Sequence, residues 1–204
     1  MKSLIIFIIP IFLLAILNII LKKNSSKLGE KILWQHYLFG YLLLLYLMIN
    51  LVSVVGVPSW FEWKLSLKLG QPIFHTNNMN LVPFKDVLDT TSIFNIILFI
   101  PFGLLLPILW DKYRKLLTTF CYGFIFSLII EVSQLFTRNR TCDINDLIFN
   151  TLGTVCGWLI FNGFRKIFYK LANKTVVNSN TSISKLEPHL YIVIAFVCAF
   201  FAQY

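Results

Sequence analysis

Segment 127–157 concentrates side chains that can ionise or hydrogen-bond within an otherwise apolar sequence. They are Glu131, Gln134, Arg138, Arg140, Asp143, Asp146 and Asn150, and Asn95 lies in an earlier apolar run. A carboxylate or guanidinium at the centre of a membrane helix costs about 2.5–3.5 kcal/mol on insertion scales. Such groups therefore pair, line a wet cavity or bind a ligand. We take these residues as the candidate ligand-binding set.

Two interpretations of this set stay open. In the first, the two arginines neutralise the three carboxylates and hold two helices together as a buried ion-pair network. In the second, the same residues line an outward-opening wet pocket in which Arg138 or Arg140 holds a phosphate bidentately. Glu131 and Asp146 would then offer an acid/base pair.

The spacing of the polar residues predicts two facing helices, because residues three, four and seven apart share one face of an α-helix. The first set is Ser127, Glu131, Gln134 and Arg138. The second set is Asp143, Asp146 and Asn150, continued by Gly153 and Gly157. We expect the two polar faces to meet across the turn 139–145. The small-xxx-small pair of glycines should admit a neighbouring backbone.

Signatures of familiar catalytic sites are absent from the sequence. It contains no G-x-S-x-G, H-E-x-x-H or Walker motif. His75 has no catalytic partner nearby in the sequence, so we expect an ordinary loop residue there. The four cysteines lack C-x-x-C spacing, so neither a metal site nor a disulfide framework is predicted. No cofactor is predicted, and enzymatic activity is left open.

The elements that must position these residues are membrane helices. The chain has 204 residues, of which 57% are hydrophobic and 13% charged, and its apolar runs fit helices crossing about 30 Å of hydrocarbon. The predicted spans are Leu4–Leu21, Tyr37–Val57, Ile93–Trp110, Leu116–Phe136, Leu147–Phe164 and His189–Gln203. We expect an all-α polytopic bundle of six helices, or five if the short last span does not cross. The first span is expected to be retained, because no small-residue cleavage site follows it.

Lysine and arginine are distributed unevenly over the predicted loops. Of 18 such residues, 12 fall in segments 22–31, 112–115 and 165–185, which share one side of the membrane if all six spans cross. Positive loops stay in the cytoplasm, so both termini are predicted to be extracytoplasmic in a multi-pass plasma-membrane protein. The net charge of +9 then indicates contact with membrane lipids and not nucleic-acid binding. The oligomeric state is left open.

The chain is interpreted as a single membrane domain, residues 1–204, with two notable segments outside the spans. Segment 58–92 carries aromatic rings at positions 60–63, which favour a place at the membrane interface. The alternation of leucine with polar residues at 65–69 is a weak strand signal. The polar stretch 173–184 is predicted to be a flexible cytoplasmic linker before the last helix.

An ordered series of short motifs runs through the middle of the chain. The motifs are Asn80-Leu-Val-Pro-Phe84, Asn95-Ile-Ile-Leu-Phe-Ile-Pro-Phe-Gly103, Glu131-Val-Ser-Gln134, Arg138–Asp146 and Asn150-Thr-Leu-Gly153. In this order and spacing they resemble the VanZ-like family of bacterial membrane proteins over about residues 78–162. The first two spans, the linker and the last helix lie outside the resemblance. Asn145 departs from the family pattern, in which a small apolar residue would be ordinary at this position.

The resemblance implies a function in the cell envelope. The founding member of the family lowers susceptibility to teicoplanin, a glycopeptide that binds cell-wall precursors at the outer membrane face. We therefore expect this chain to lower susceptibility to glycopeptide-type antibiotics by engaging an outer-leaflet lipid or a lipid-linked cell-wall precursor. Two alternatives stay open: an intramembrane enzyme acting on a lipid-linked phosphate, and a non-catalytic structural or partner-binding subunit.

Overall fold

The computed structural model describes residues 2–27, 32–75, 79–84, 90–165, 173, 175–176 and 182–202 of the chain. Within these residues there are seven α-helices: α1 (Lys2–Lys27), α2 (Trp34–Ile49), α3 (Trp60–Lys68), α4 (Thr90–Leu109), α5 (Leu116–Gln134), α6 (Ile144–Phe164) and α7 (Ser182–Phe201). A π-helical turn, Asn50–Val54, extends α2, and a 3-10 turn, Asp111–Arg114, joins α4 to α5. Two short strands, β1 (Met79–Asn80) and β2 (Cys142–Asp143), pair in parallel.

Five of the helices are long and apolar enough to cross a membrane. They are Phe7–Lys27, Trp34–Val54 (α2 with its π turn), Thr90–Leu109, Leu116–Gln134 and Ile144–Phe164. The all-α membrane fold predicted from the sequence is therefore confirmed. The sixth predicted span, His189–Gln203, falls mostly in α7, which packs against α1 and α2. Its crossing of the membrane stays a prediction.

Helices α4 and α6 pack with their backbones in direct contact. A Cβ atom on Gly157 would lie 2.7 Å from the amide nitrogen of Leu104, and closer still to the carbonyl oxygen of Ile100. Gly103 on α4 makes the reciprocal approach to the backbone of Thr154. The glycine face of α6 therefore meets α4, as small-residue packing between membrane helices requires.

The weak strand signal at 65–69 is wrong, because residues 60–68 form helix α3. Ser59 caps this helix by accepting a hydrogen bond from the amide of Glu62 at 3.2 Å. A serine followed three residues later by glutamate is a helix-start pattern, and it outweighs the short alternation of leucines. Trp60 and Phe61 remain 45% and 53% exposed, which agrees with the predicted interfacial position.

The C-terminal ends of α2 and α5 meet the N-terminal ends of α4 and α6 at one end of the bundle, which we call the site end. Gln134 at the end of α5 donates a hydrogen bond to the Val55 carbonyl oxygen at 2.9 Å. The β1–β2 pairing lies at the same end and ties the chain before α4 to the start of α6.

The opposite end holds a second buried polar cluster, which we call the His36 cluster. His36 and Glu187 are 0% exposed, and Nε2 of the histidine lies 2.8 Å from Oε1 of the glutamate. The indole of Trp110 donates to the other carboxyl oxygen at 2.8 Å. His36 Nδ1 lies 2.9 Å from the carbonyl oxygen of Thr175, so Nδ1 is the donor.

The contact with Thr175 bears on the predicted linker 173–184. Thr175 is buried, and α7 already begins at Ser182, so these two parts of the segment are structured. Residues 174 and 177–181 lie outside the described residues.

Candidate ligand-binding site

Glu131 is the most deeply buried charged residue of the predicted set. It lies on the last turn of α5 and is 2% exposed. Its Oε2 accepts a hydrogen bond from the backbone amide of Asp143 at 2.9 Å, while Oε1 has no hydrogen-bond partner among the described residues. This bond joins the end of α5 to the start of α6, as the facing polar sets predicted.

Asp143 caps helix α6 and does not lie on its face. Its backbone is extended, and its Oδ1 accepts a hydrogen bond from the amide of Asn145 at 2.7 Å. Its Oδ2 accepts one from the side-chain amide of Asn80 at 2.8 Å. The carboxylate is thereby held by a local cap and by β1, whose Asn80 pairs with Asp143 in the parallel ladder.

Two further polar contacts continue the site along α6. Asn95 on α4 donates to Oδ1 of Asp146 at 2.6 Å. One turn deeper, the side-chain amide of Asn150 donates to the Ser127 hydroxyl of α5 at 3.0 Å. Amide side chains, and not only cations, therefore hold the acidic residues at this end.

Arg138 lies in a different position from the one its spacing predicted. Helix α5 ends at Gln134, so Arg138 follows the helix in an irregular segment and does not share its face. Its amide donates to Glu62 Oε1 at 2.7 Å and its Nε to the Ser66 hydroxyl at 3.1 Å. Its guanidinium also bonds the Gln71 side-chain oxygen. Arg138 is therefore directed to α3.

Arg140 contacts the end of the π turn that extends α2. Its Nη2 donates to the Val54 carbonyl oxygen at 2.8 Å. Gly56 has φ +68, and a Cβ atom there would lie 2.8 Å from Arg140 Nε. The left-handed backbone favours glycine at this position, and a larger residue would also have to displace the Arg140 side chain. The ion-pair interpretation of the predicted set stays a prediction, because these hydrogen bonds of Arg138 and Arg140 go to residues outside that set.

The two arginines line one groove, which we call the arginine groove. It encloses about 690 Å³ between the end of α2, helix α3 and the segment after α5. Its lining residues are Val52, Ser53, Gly56, Val57, Ser59, Phe61, Glu62, Leu65, Thr137, Arg138, Asn139 and Arg140. The charged side chains among them are two arginines and one glutamate, so the lining carries a net charge of +1.

The acid residues change the chemistry of Cys142, which lies beside them in β2. Burial raises the pKa of this thiol, and the neighbouring carboxyl groups of Glu131 and Asp143 raise it further. A thiol in this setting is a poor nucleophile at neutral pH. The described residues contain no cluster of histidine, cysteine and acidic residues that could hold a metal ion.

The structure gathers most of the predicted set and adds residues that the helical spacing did not indicate. Glu131, Asp143, Asp146 and Asn95 converge at the site end, with Gln134 and Asn150 beside them. The additions are Asn80, Glu62 and Asn145, the last of which accepts a hydrogen bond from the Phe84 amide at 2.8 Å. Asn80 is the first residue of the motif Asn80-Leu-Val-Pro-Phe84, so the sequence did carry a signal for it. His75 lies in a loop, as predicted.

A sequence model of the VanZ/LLP1 family matches residues 38–169, which is more than half of the chain. The chain belongs to the VanZ/LLP1 family. The match begins within α2, so it includes the second predicted span, which the short motifs had left outside. The His36 cluster takes three of its four residues from outside the match.

The chain is also similar to Protein VanZ of Enterococcus faecium. The two are 33% identical over 94 residues, which cover 43% of this chain and 55% of that protein. The chain therefore matches about half the length of this VanZ relative. No solved structure matches the chain.

Proposed function

We propose that this VanZ-family protein lies in the bacterial plasma membrane and lowers susceptibility to teicoplanin-type glycopeptides. In this proposal it binds a phosphate-bearing outer-leaflet lipid, or a lipid-linked cell-wall precursor, at the site end. The observation that carries the proposal is the placement of Arg138 and Arg140 on one groove of about 690 Å³. The buried carboxyl group of Glu131 lies in the adjoining cluster.

The distribution of positive charge supports an extracytoplasmic site end. The described basic residues at the opposite end are Lys22, Lys23, Lys27, Lys112, Arg114, Lys115, Arg165 and Lys185. Apart from Lys2 at the start of α1, the described basic residues at the site end are Lys64, Lys68, Arg138 and Arg140. Because the more positive side stays in the cytoplasm, the arginine groove would open to the outer leaflet.

The chemistry of the groove suits a phosphate. A guanidinium carries five N–H donors in a planar fork, so it can keep its contacts to the protein and still hold a phosphate oxygen pair. Ser66, Gln71 and the Val54 carbonyl fix the directions of the two guanidinium groups. The arginines would therefore be positioned before a ligand arrives, which lowers the entropy lost on binding.

One observation favours a second candidate function, an intramembrane enzyme acting on a lipid-linked phosphate. Glu131 keeps one carboxyl oxygen without a described hydrogen-bond partner in a buried position. Such an oxygen is available for proton transfer. Release of inorganic phosphate from undecaprenyl diphosphate by the purified protein, abolished by Glu131→Gln, would establish this function. Absence of turnover with an intact binding site would favour the binding function.

The test of the proposed function is antibiotic susceptibility in a Gram-positive host that lacks its own VanZ protein. The wild-type chain should raise the inhibitory concentration of teicoplanin, and Arg138→Gln or Arg140→Gln should abolish that increase. Arg165→Gln is the matched control, because Arg165 is exposed at the opposite end. Membrane abundance is measured for each variant. An undiminished increase in both groove variants at normal abundance would refute the proposal.

A further inference from the structure

Two apolar clefts border helix α2 on the outside of the bundle. One of about 250 Å³ lies between α2 and α4, and one of about 160 Å³ lies between α1 and α2. Leu42 and Leu45 line both clefts and are 45% and 44% exposed. These two leucines form a ridge with one cleft on each side, and we call it the leucine ridge.

The leucine ridge leads along α2 toward the arginine groove. The cleft between α2 and α4 reaches Ile49 and Asn50, while the groove begins at Val52 and Ser53. Ile49 is the last residue of α2, and Ser53 lies four residues further on, within the single π-helical turn that extends α2. The arginine groove therefore lies directly beyond the cleft between α2 and α4.

This arrangement follows the depth profile of a bilayer. The hydrocarbon core is about 30 Å thick, and the headgroup regions extend it to about 40–45 Å, which leaves about 5–7 Å for the headgroups of each leaflet. A phosphate on Arg140, which bonds the carbonyl oxygen of Val54, would place the start of the hydrocarbon chains near Asn50. The cleft between α2 and α4 begins at that level, and the cleft between α1 and α2 begins two residues deeper, at Met48.

We propose that the ligand of the arginine groove is an anionic two-chain phospholipid, with its phosphate on Arg138 and Arg140. One hydrocarbon chain lies in each cleft, and the leucine ridge separates the two chains. This inference rests on the proposed function and narrows its ligand class. A single-chain isoprenoid phosphate would fill only one of the two clefts.

The physical basis for selectivity is packing and charge. Within a membrane, apolar surface gains nothing from leaving water, so a chain is held in a cleft by van der Waals contact. The net charge of +1 on the groove lining favours a headgroup with a net negative charge. Among lipids with the same headgroup, a two-chain lipid should therefore bind more tightly than a one-chain lipid, because both of its chains contact the protein.

The experiment measures binding to the purified full chain in detergent by native mass spectrometry. The probes are phosphatidylglycerol, its one-chain lyso form and glycerophosphoglycerol, which has the headgroup alone. Wild-type protein should bind the two-chain probe about tenfold more tightly than the one-chain probe. Leu45→Trp should abolish most of that preference and leave headgroup binding unchanged. Leu128→Trp is the control, because Leu128 is similarly exposed, at 40%, on α5 and lines neither cleft.

Three results would overturn the inference. They are equal binding of the two-chain and one-chain probes, identical behaviour of Leu45→Trp and Leu128→Trp, and tighter binding of undecaprenyl phosphate than of phosphatidylglycerol. If Arg138→Gln still weakens headgroup binding in these cases, only the assignment of the chains fails. If Arg138→Gln and Arg140→Gln also change nothing, the proposed function fails with it.

Discussion

Replacing Gly157 by alanine should destabilise the protein, because α4 and α6 touch through their backbones at this residue. Ordinary contact for a Cβ atom begins at 3.4 Å, whereas the new atom would lie 2.7 Å from the Leu104 nitrogen and closer to the Ile100 oxygen. Backbone atoms cannot rotate away, so the helices must separate. Overpacking of this kind typically costs about 1–3 kcal/mol, and backbone contact places the expected cost near 3 kcal/mol.

The assay is thermal unfolding of the purified protein in detergent. A change of 1 kcal/mol shifts the melting temperature of a chain of this size by about 2–4 °C, so a fall of about 6–12 °C is expected. Gly163→Ala is the control on the same helix, since a Cβ atom there meets nothing within 4 Å, and it should leave stability unchanged or slightly raised. Equal melting temperatures for Gly157→Ala and Gly163→Ala would refute the packing argument.

The remaining predictions address the opposite end, the acidic cluster and the orientation. His36→Leu should lower the free energy of unfolding by about 3–5 kcal/mol, because the buried Glu187 carboxylate loses its histidine partner. Adding Glu187→Met should recover most of that loss, and no recovery in chemical unfolding would contradict this. Because the pKa of Cys142 is raised, a variant keeping only this cysteine should react slowly with an impermeant maleimide at pH 7.4 and much faster at pH 9. Glu131→Gln should lower that pKa and speed the reaction at pH 9. Equal rates at pH 9 with and without Glu131→Gln would show that this carboxyl group does not act on the thiol. Alkaline phosphatase fused after Tyr204 should be active and a cytoplasmic reporter there inactive; the reverse pattern would reject the predicted orientation.

The membrane helices could be predicted from the sequence because their signal is local. Apolar runs long enough to cross a bilayer identify the five long helices, and the two-set polar spacing predicted that the ends of α5 and α6 face each other. The bond from the Asp143 amide to Glu131 confirms that expectation. The spacing of Gly153 and Gly157 likewise predicted a close helix contact, although the sequence did not identify α4 as the partner.

The position of Arg138 could not be predicted from helical spacing. The argument from helical spacing assumes that α5 continues past Gln134. The helix ends at Gln134 instead, and the Thr137 hydroxyl donates to the Gln134 carbonyl oxygen at 2.8 Å. Glu62, which binds the Arg138 amide, is 76 residues away in sequence. A contact of that separation leaves no periodic signal in the sequence.

The His36 cluster shows the same limit more strongly. His36 and Glu187 are separated by 151 residues. Taken alone, each has the sequence context of an ordinary polar residue near a helix end. Helix α3 is a different case, because the Ser59 and Glu62 capping pattern was present in the sequence. A search for helix starts in segment 58–92 would have found that helix.

The most direct test of the central claim is the lipid that the protein retains when it is purified from its membrane. Wild-type protein and the Arg165→Gln control should carry a phosphate-bearing lipid near one per chain in native mass spectra. The double variant Arg138→Gln with Arg140→Gln should lose about tenfold or more of that occupancy, because a charge-assisted hydrogen bond contributes about 1.5–3 kcal/mol. Equal occupancy by the same lipid in the double variant and the wild type, at equal melting temperature, would contradict a phosphate site in the arginine groove.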